Sequence, residues 1–141
     1  KDLFGKEPIR SVFTYQLNNS EFCQTFQADA LIFVMSKSSN FESRQAIRRT
    51  WGNLQRIADQ HQYSHLRLGL LFLLDIDETH LLNVQLEQNI FQDLVQVRLP
   101  QHYTLSTYRD MAILHWTQTF CPQAKLTVKT DDDVFLNTYL L

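Results

Sequence analysis

Three consecutive aspartates, Asp131, Asp132 and Asp133, interrupt the stretch KLTVKTDDDVFLN at residues 125–137. Leu126 and Val128 alternate with Thr127 and Lys129 as a strand would, and then the charge arrives at once. In an extended segment alternate side chains share a face, so Asp131 and Asp133 are expected on one side and Asp132 on the other. Two carboxylates on one side make a hard oxygen site suited to Mg2+ or Mn2+. Such a pair leaves most of an octahedral shell open for water and phosphate oxygens. An acidic strand-end turn with no ligand has the same composition, because aspartate is at home in turns.

The second constellation is SRQAIRRTWG, residues 43–52. On a helix Arg44 and Arg48 share one face and Ile47 and Trp51 another. Two guanidiniums on one face form either a solvated basic surface or an anion site. Other chemistry is thinly represented. His61, His65, His80, His102 and His115 lack metal-ligand spacing, and residue order nominates no Ser-His-Asp set. Cys23 and Cys121 are too few to define a disulfide framework, and the sequence leaves their pairing open. Asn18-Asn19-Ser20 satisfies the N-x-[ST] sequon, which matters in a secreted or lumenal protein.

These residues need elements to position them. ADALIFVMS, residues 28–36, is a continuous apolar run of the kind buried on both faces of a parallel sheet. A short helix follows, with Ser39 and Glu42 at capping-box spacing and Gly52 as its stop. Residues 66–76 read as a second buried strand, and residues 78–92 as a helix with Leu82, Leu86 and Ile90 at four-residue spacing. Residues 93–99 read as a third strand, ended by Pro100. Residues 105–120 place Leu105, Tyr108, Ala112, Trp116 and Phe120 on one helical stripe, and KLTVKT is the fourth strand. This alternation implies an α/β fold with a mostly parallel sheet. The aspartates then lie at the carboxyl end of a strand, where open α/β sheets bind ligands. Residues 1–27 read as a lead-in segment and 28–141 as the domain proper.

Length and charge set the outer limits. A chain of 141 residues is one domain with a sizeable core. A net charge of −2 gives no electrostatic case for nucleic acid. The apolar run from Leu70 to Leu74 is far short of the ~20 residues that span a bilayer.

Taken together the motifs resemble the β-1,3-galactosyltransferase and β-1,3-N-acetylglucosaminyltransferase family, glycosyltransferase family 31. Its R-x-A-I-R-x-T-W-G hallmark is met by Arg44, Ala46, Ile47, Arg48, Thr50, Trp51 and Gly52. Its second hallmark, Cys-Pro-x-A-K leading to K-x-D-D-D-V-F-x-N, is met from Cys121 to Asn137. The resemblance covers residues 12–141 and implies a GT-A-type, Rossmann-like fold, here truncated at its carboxyl end. It implies UDP-galactose or UDP-N-acetylglucosamine as donor, Mn2+ as metal, and inverting transfer to a glycan acceptor on a glycoprotein or glycolipid. Asp131 and Asp133 would be the metal ligands. Arg44, Arg48, Trp51, Lys129, Asp131 and Asp132 would shape the UDP-sugar pocket. The family's type II Golgi topology implies an anchor upstream of this chain, a glycan at Asn18, and oxidised Cys23 and Cys121. The general base of such a transferase follows the acidic motif, and only eight residues follow Asp133 here, so this chain alone is expected not to catalyse.

Departures from the family pattern bear on activity. In RLPQHYTLST, Arg98 and Gln101 stand where aspartates are expected and Leu105 where asparagine is, with Tyr103 and Thr107 retained. FLLDID replaces the more usual F-L-L-G. A catalytically inactive relative that binds sugar nucleotide or glycan is therefore one alternative. A haloacid-dehalogenase-like phosphatase is the other, since DDDVF fits its D-x-D-x-[TV] loop with Asp131 as nucleophile and Asp133 as acid/base. In that family, however, the loop follows the first strand of the core.

Overall fold

A computed structural model describes residues 13–54, 66–98 and 105–138. His61, His65, Leu99, Pro100, Gln101, His102 and Tyr103, together with the side chain of Leu105, lie outside the described residues. The elements run in order β1 (Thr14–Leu17), α1 (Phe22–Thr25), β2 (Ala30–Ser36), α2 (Phe41–Arg49) and β3 (Leu68–Leu74). A 3-10 turn (Glu78–His80) then leads into α3 (Leu81–Phe91), followed by β4 (Leu94–Arg98), α4 (Leu105–Phe120) and β5 (Leu126–Asp131).

The strands form one sheet in the order β1-β4-β3-β2-β5. β2 pairs parallel with both β3 and β5, β3 pairs parallel with β4, and β1 closes one edge antiparallel to β4. The expected α/β architecture with a mostly parallel sheet is what the chain adopts. One correction concerns the lead-in: residues 14–17 belong to the sheet, and the one-turn helix α1 carries the buried Cys23.

The central strands are apolar throughout because each serves two cores. Leu31, Phe33 and Met35 of β2 join Leu71 and Leu73 of β3 under Tyr108, Ala112 and Trp116 of α4. Ile32, Val34, Leu70, Phe72 and Leu74 face the other way, against Ile47 and Trp51 after β2 and Val84 of α3. Layers of helix therefore cover both faces. A disulfide joins Cys23 to Cys121, 98 positions apart in the sequence, with Cα atoms 5.4 Å apart. Among the described residues no helix is long and apolar enough to cross a membrane.

Candidate functional site

β2 and β5 lie side by side with Met35 opposite Asp131, so their carboxyl ends arrive together. The strand stops at Asp131, and Asp132 and Asp133 form a turn. Asp131 shares the face of Met35, on the α4 side, whereas Asp132 turns toward α2. There its Oδ2 accepts hydrogen bonds from Ser36 Oγ at 2.8 Å and Asn40 Nδ2 at 3.1 Å. Alternation thus separates Asp131 from Asp132 as expected, but the turn ends the pleat before Asp133. Asp131 and Asp133 are exposed, and Asp132 is half-buried.

Asn40 is the N-cap residue of α2, yet its side chain makes no cap hydrogen bond. The capping box expected from Ser39 and Glu42 is likewise not formed: Ser39 lies outside the helix ahead of that cap, and the first turn is left to the charge of Glu42. Asn40 gives its amide to Asp132 instead, and the helix start is thereby tied to the acidic turn.

The arginines of the second motif do not form a solvated face or an open anion site. Arg44 is fully buried, and its five N–H donors are all engaged within the protein. Two go to the carboxylate of Glu87 on α3 at 2.7 Å each, and the others to Ser36 Oγ, the Lys37 carbonyl and the Ser38 carbonyl. Arg48 donates to Asp93, Glu87 and Gln45 and lies 3.9 Å from the centre of the Phe91 ring. Its desolvation works against the guanidinium's charge, but the bonds to Asp93 and Glu87 outweigh that cost and hold its pKa above the usual value. Burial of these cations is tolerable because Arg44, Arg48, Glu87 and Asp93 form a neutral, fork-paired cluster.

Direct contact with a donor diphosphate is therefore not the role of Arg44, which lacks both an open donor and a path to solvent. Trp51 also departs from the expected pocket. It is buried in the α2-side core beside Ile47, Phe72 and Leu74, and its carbonyl accepts from Thr138 Oγ1. Lys129 stands opposite Phe33 on the α4 face and pairs with Asp110 of α4. The sheet thus separates Lys129 from the Arg44 cluster.

The neighbouring strand end accounts for one departure from the family pattern. Asp75, where glycine is usual, accepts from the Ser38 amide, and its carbonyl accepts from Ser38 Oγ at 2.7 Å and Gln96 Nε2 at 2.9 Å. The Ser36–Ser38 segment is thereby held from two sides, by Arg44 and by Asp75. Ser36, Asn40, Glu87 and Asp93 do not stand out in the sequence, because none belongs to a spaced motif. The one available signal is a glutamate within an apolar helical pattern opposite two arginines.

Among the described residues no group of three or more His, Cys, Asp or Glu could hold a metal ion by itself. What the turn offers is two exposed carboxylates beside one already hydrogen-bonded, donors of the hard oxygen type that Mn2+ and Mg2+ prefer. The remaining histidines are accounted for structurally: His80 pairs with Asp77, and His115 stacks on Phe13 and shares a hydrogen bond with the Tyr15 hydroxyl. Asn18 is exposed in the turn after β1.

The sequence family described as galactosyltransferase matches residues 42–141. Beta-1,3-galactosyltransferase 1 of Homo sapiens is 31% identical over 127 residues, covering 89% of this chain and 37% of that protein. Lactosylceramide 1,3-N-acetyl-beta-D-glucosaminyltransferase of Rattus norvegicus is 28% identical over 130 residues, with 87% and 33% covered. The Xenopus tropicalis protein of the same name is 29% identical over 132 residues, with 89% and 34% covered. The chain spans about a third of the length of these relatives.

Proposed function

The chain belongs to the galactosyltransferase family, and from that premise we propose that it forms the nucleotide-sugar-binding part of a β-1,3-hexosyltransferase. The donor is UDP-galactose or UDP-N-acetylglucosamine, and the acceptor is a glycan on a glycoprotein or glycolipid. Transfer is inverting and Mn2+-dependent. The observation that carries this reading is the acidic turn at the carboxyl end of β5, with Asp131 and Asp133 exposed and Asp132 fixed beside it. Ligands of open α/β sheets bind beyond such ends.

Asp131 and Asp133 would hold the metal. Bound Mn2+ supplies charge neutralisation for a diphosphate leaving group. The chain's own contribution is positional. Ser36 and Asn40 fix one carboxylate of the turn, and the Arg44–Glu87 fork holds the backbone from Ser36 to Ser38 that borders it. The Cys23–Cys121 disulfide supports an oxidising compartment. We assign that compartment as the Golgi lumen, with the membrane anchor of a type II protein outside this chain and an N-glycan at the exposed Asn18.

The test is transfer from UDP-sugar by a form of the protein as long as its relatives, with and without Mn2+. Asp133→Asn is expected to weaken Mn2+-dependent UDP binding on the order of tenfold or more, the scale seen when metal sites lose supporting groups. An unchanged metal titration in that variant would remove the metal role. A second reading, sugar-nucleotide binding without transfer, is favoured by the exposed Arg98 at the end of β4, where the family carries an acidic stretch. Binding of UDP and Mn2+ with no product under any acceptor would establish it. Family membership argues against the phosphatase reading.

A further inference from the structure

The acidic turn is coupled to a buried ion cluster through one hydroxyl. Ser36 Oγ lies 2.9 Å from Arg44 Nη1 and 2.8 Å from Asp132 Oδ2. A guanidinium can only donate, so the serine oxygen must accept there, and its own proton is free for a second partner. Two acceptors lie within reach: Asp132 Oδ2 at 2.8 Å and the Lys37 carbonyl at 3.4 Å. The nearer one carries the charge, and a hydroxyl bond to a carboxylate is the stronger kind. The direction is therefore fixed, from Arg44 to Ser36 to Asp132. Upstream, Arg44 cannot swing away, because its Nε and Nη2 are forked onto Glu87 and it is fully buried.

We propose that Ser36, with Asn40 as its partner, is a positioning residue. The Glu87–Arg44–Ser36–Asp132 relay and the Asn40 amide hold the central aspartate against the helix side of the turn. Asp131 and Asp133 are thereby left pre-set as the two outward carboxylates. This deepens the reading of the turn as a metal and diphosphate site and rests on it. The consequence is a division of labour within the triplet: Asp132 binds protein so that its neighbours can bind ligand.

The experiment separates the contact from the reading it rests on. Hydrogen exchange across residues 131–137 is measured without ligand in the wild type, Ser36→Ala, Asn40→Ala, Asp132→Ala and the Ser36→Ala/Asp132→Ala double variant. Ser36→Ala is expected to speed exchange in this segment on the order of tenfold, the size of one lost bond to a charged group, while β3 and α4 keep their protection. In the Asp132→Ala background the same substitution is expected to add nothing. Unchanged exchange in Ser36→Ala, or effects that simply add in the double variant, would overturn the relay whatever the chain binds. Mn2+ affinity in the presence of UDP is then titrated on a form of the protein as long as its relatives. A drop on the order of tenfold in Ser36→Ala at unchanged melting temperature supports the positioning role. Loosened exchange with unaltered Mn2+ affinity overturns that role, and a wild type that binds no Mn2+ overturns the reading of the turn itself.

Discussion

At the scale of single residues, the hallmark arginines are taken up by partners within the protein. Their spacing places Arg44 and Arg48 on one helical face, but spacing carries no information about what faces them. Glu87 of α3 supplies that partner, accepting from Arg44 through both oxygens and from Arg48 through one. Removing one member of a buried, paired cluster leaves uncompensated charge, which costs about 3–5 kcal/mol. Glu87→Gln is therefore expected to lower the free energy of unfolding by about that amount. Arg49→Ala, an exposed arginine one position along the same helix, is expected to change it by less than about 0.5 kcal/mol. Urea denaturation of the two variants checks the contrast, and a mild Glu87→Gln phenotype would show that the cluster reorganises around a neutral partner.

At the scale of elements, strands buried on both faces are legible because a short, unbroken apolar run must hide both of its faces from water, as a central parallel strand does. β2, β3 and β4 fall within the expected spans, β5 runs one residue past its expected end to Asp131, and α4 covers residues 105–120 as read. β1 is not legible, since TYQL is a four-residue edge strand, half exposed, in a polar context. α3 is legible as a helix for a reason that proves indirect. The Leu82, Leu86 and Ile90 stripe that signals it is 72%, 51% and 72% exposed, whereas Val84 and Glu87 face inward. The arginine fork selects that face over the more apolar one. Gly52 acts at the same scale. Its amide donates to the Ile47 carbonyl at 2.8 Å, and an added Cβ would lie 2.7 Å from Ile47 Cγ2 and 2.8 Å from that carbonyl oxygen. Gly52→Ala must push the end of α2 away from the core, an overpacking cost of about 1–3 kcal/mol. Thermal melts of this variant beside Ala46→Gly, at an exposed position of the same helix, would separate it from the intrinsic helix cost of about 1 kcal/mol.

At the scale of the whole molecule, the disulfide and the acidic turn sit at opposite ends of the parallel strands. Cys23 precedes β2 and Cys121 precedes β5, so the disulfide lies toward the amino ends of the parallel strands. The acidic turn, Ser36 and Asp75 lie at the carboxyl ends. The disulfide joins positions 98 apart in the sequence and encloses every described element from β2 through α4. Crosslinking a loop of that length restricts the unfolded chain and stabilises the fold by up to about 4.7 kcal/mol. The Cys23→Ser/Cys121→Ser variant is accordingly expected to lose about 3–5 kcal/mol. Its folded fraction should nevertheless keep wild-type hydrogen exchange at residues 131–137, because the relay holding Asp132 does not pass through the staple. Reduction of the wild type should produce the same loss, and equal melting temperatures with and without reductant would show that the disulfide adds nothing. If exchange at 131–137 rose along with the loss of stability, the two ends would be one cooperative unit, and the site would depend on the redox compartment as well as on its own residues.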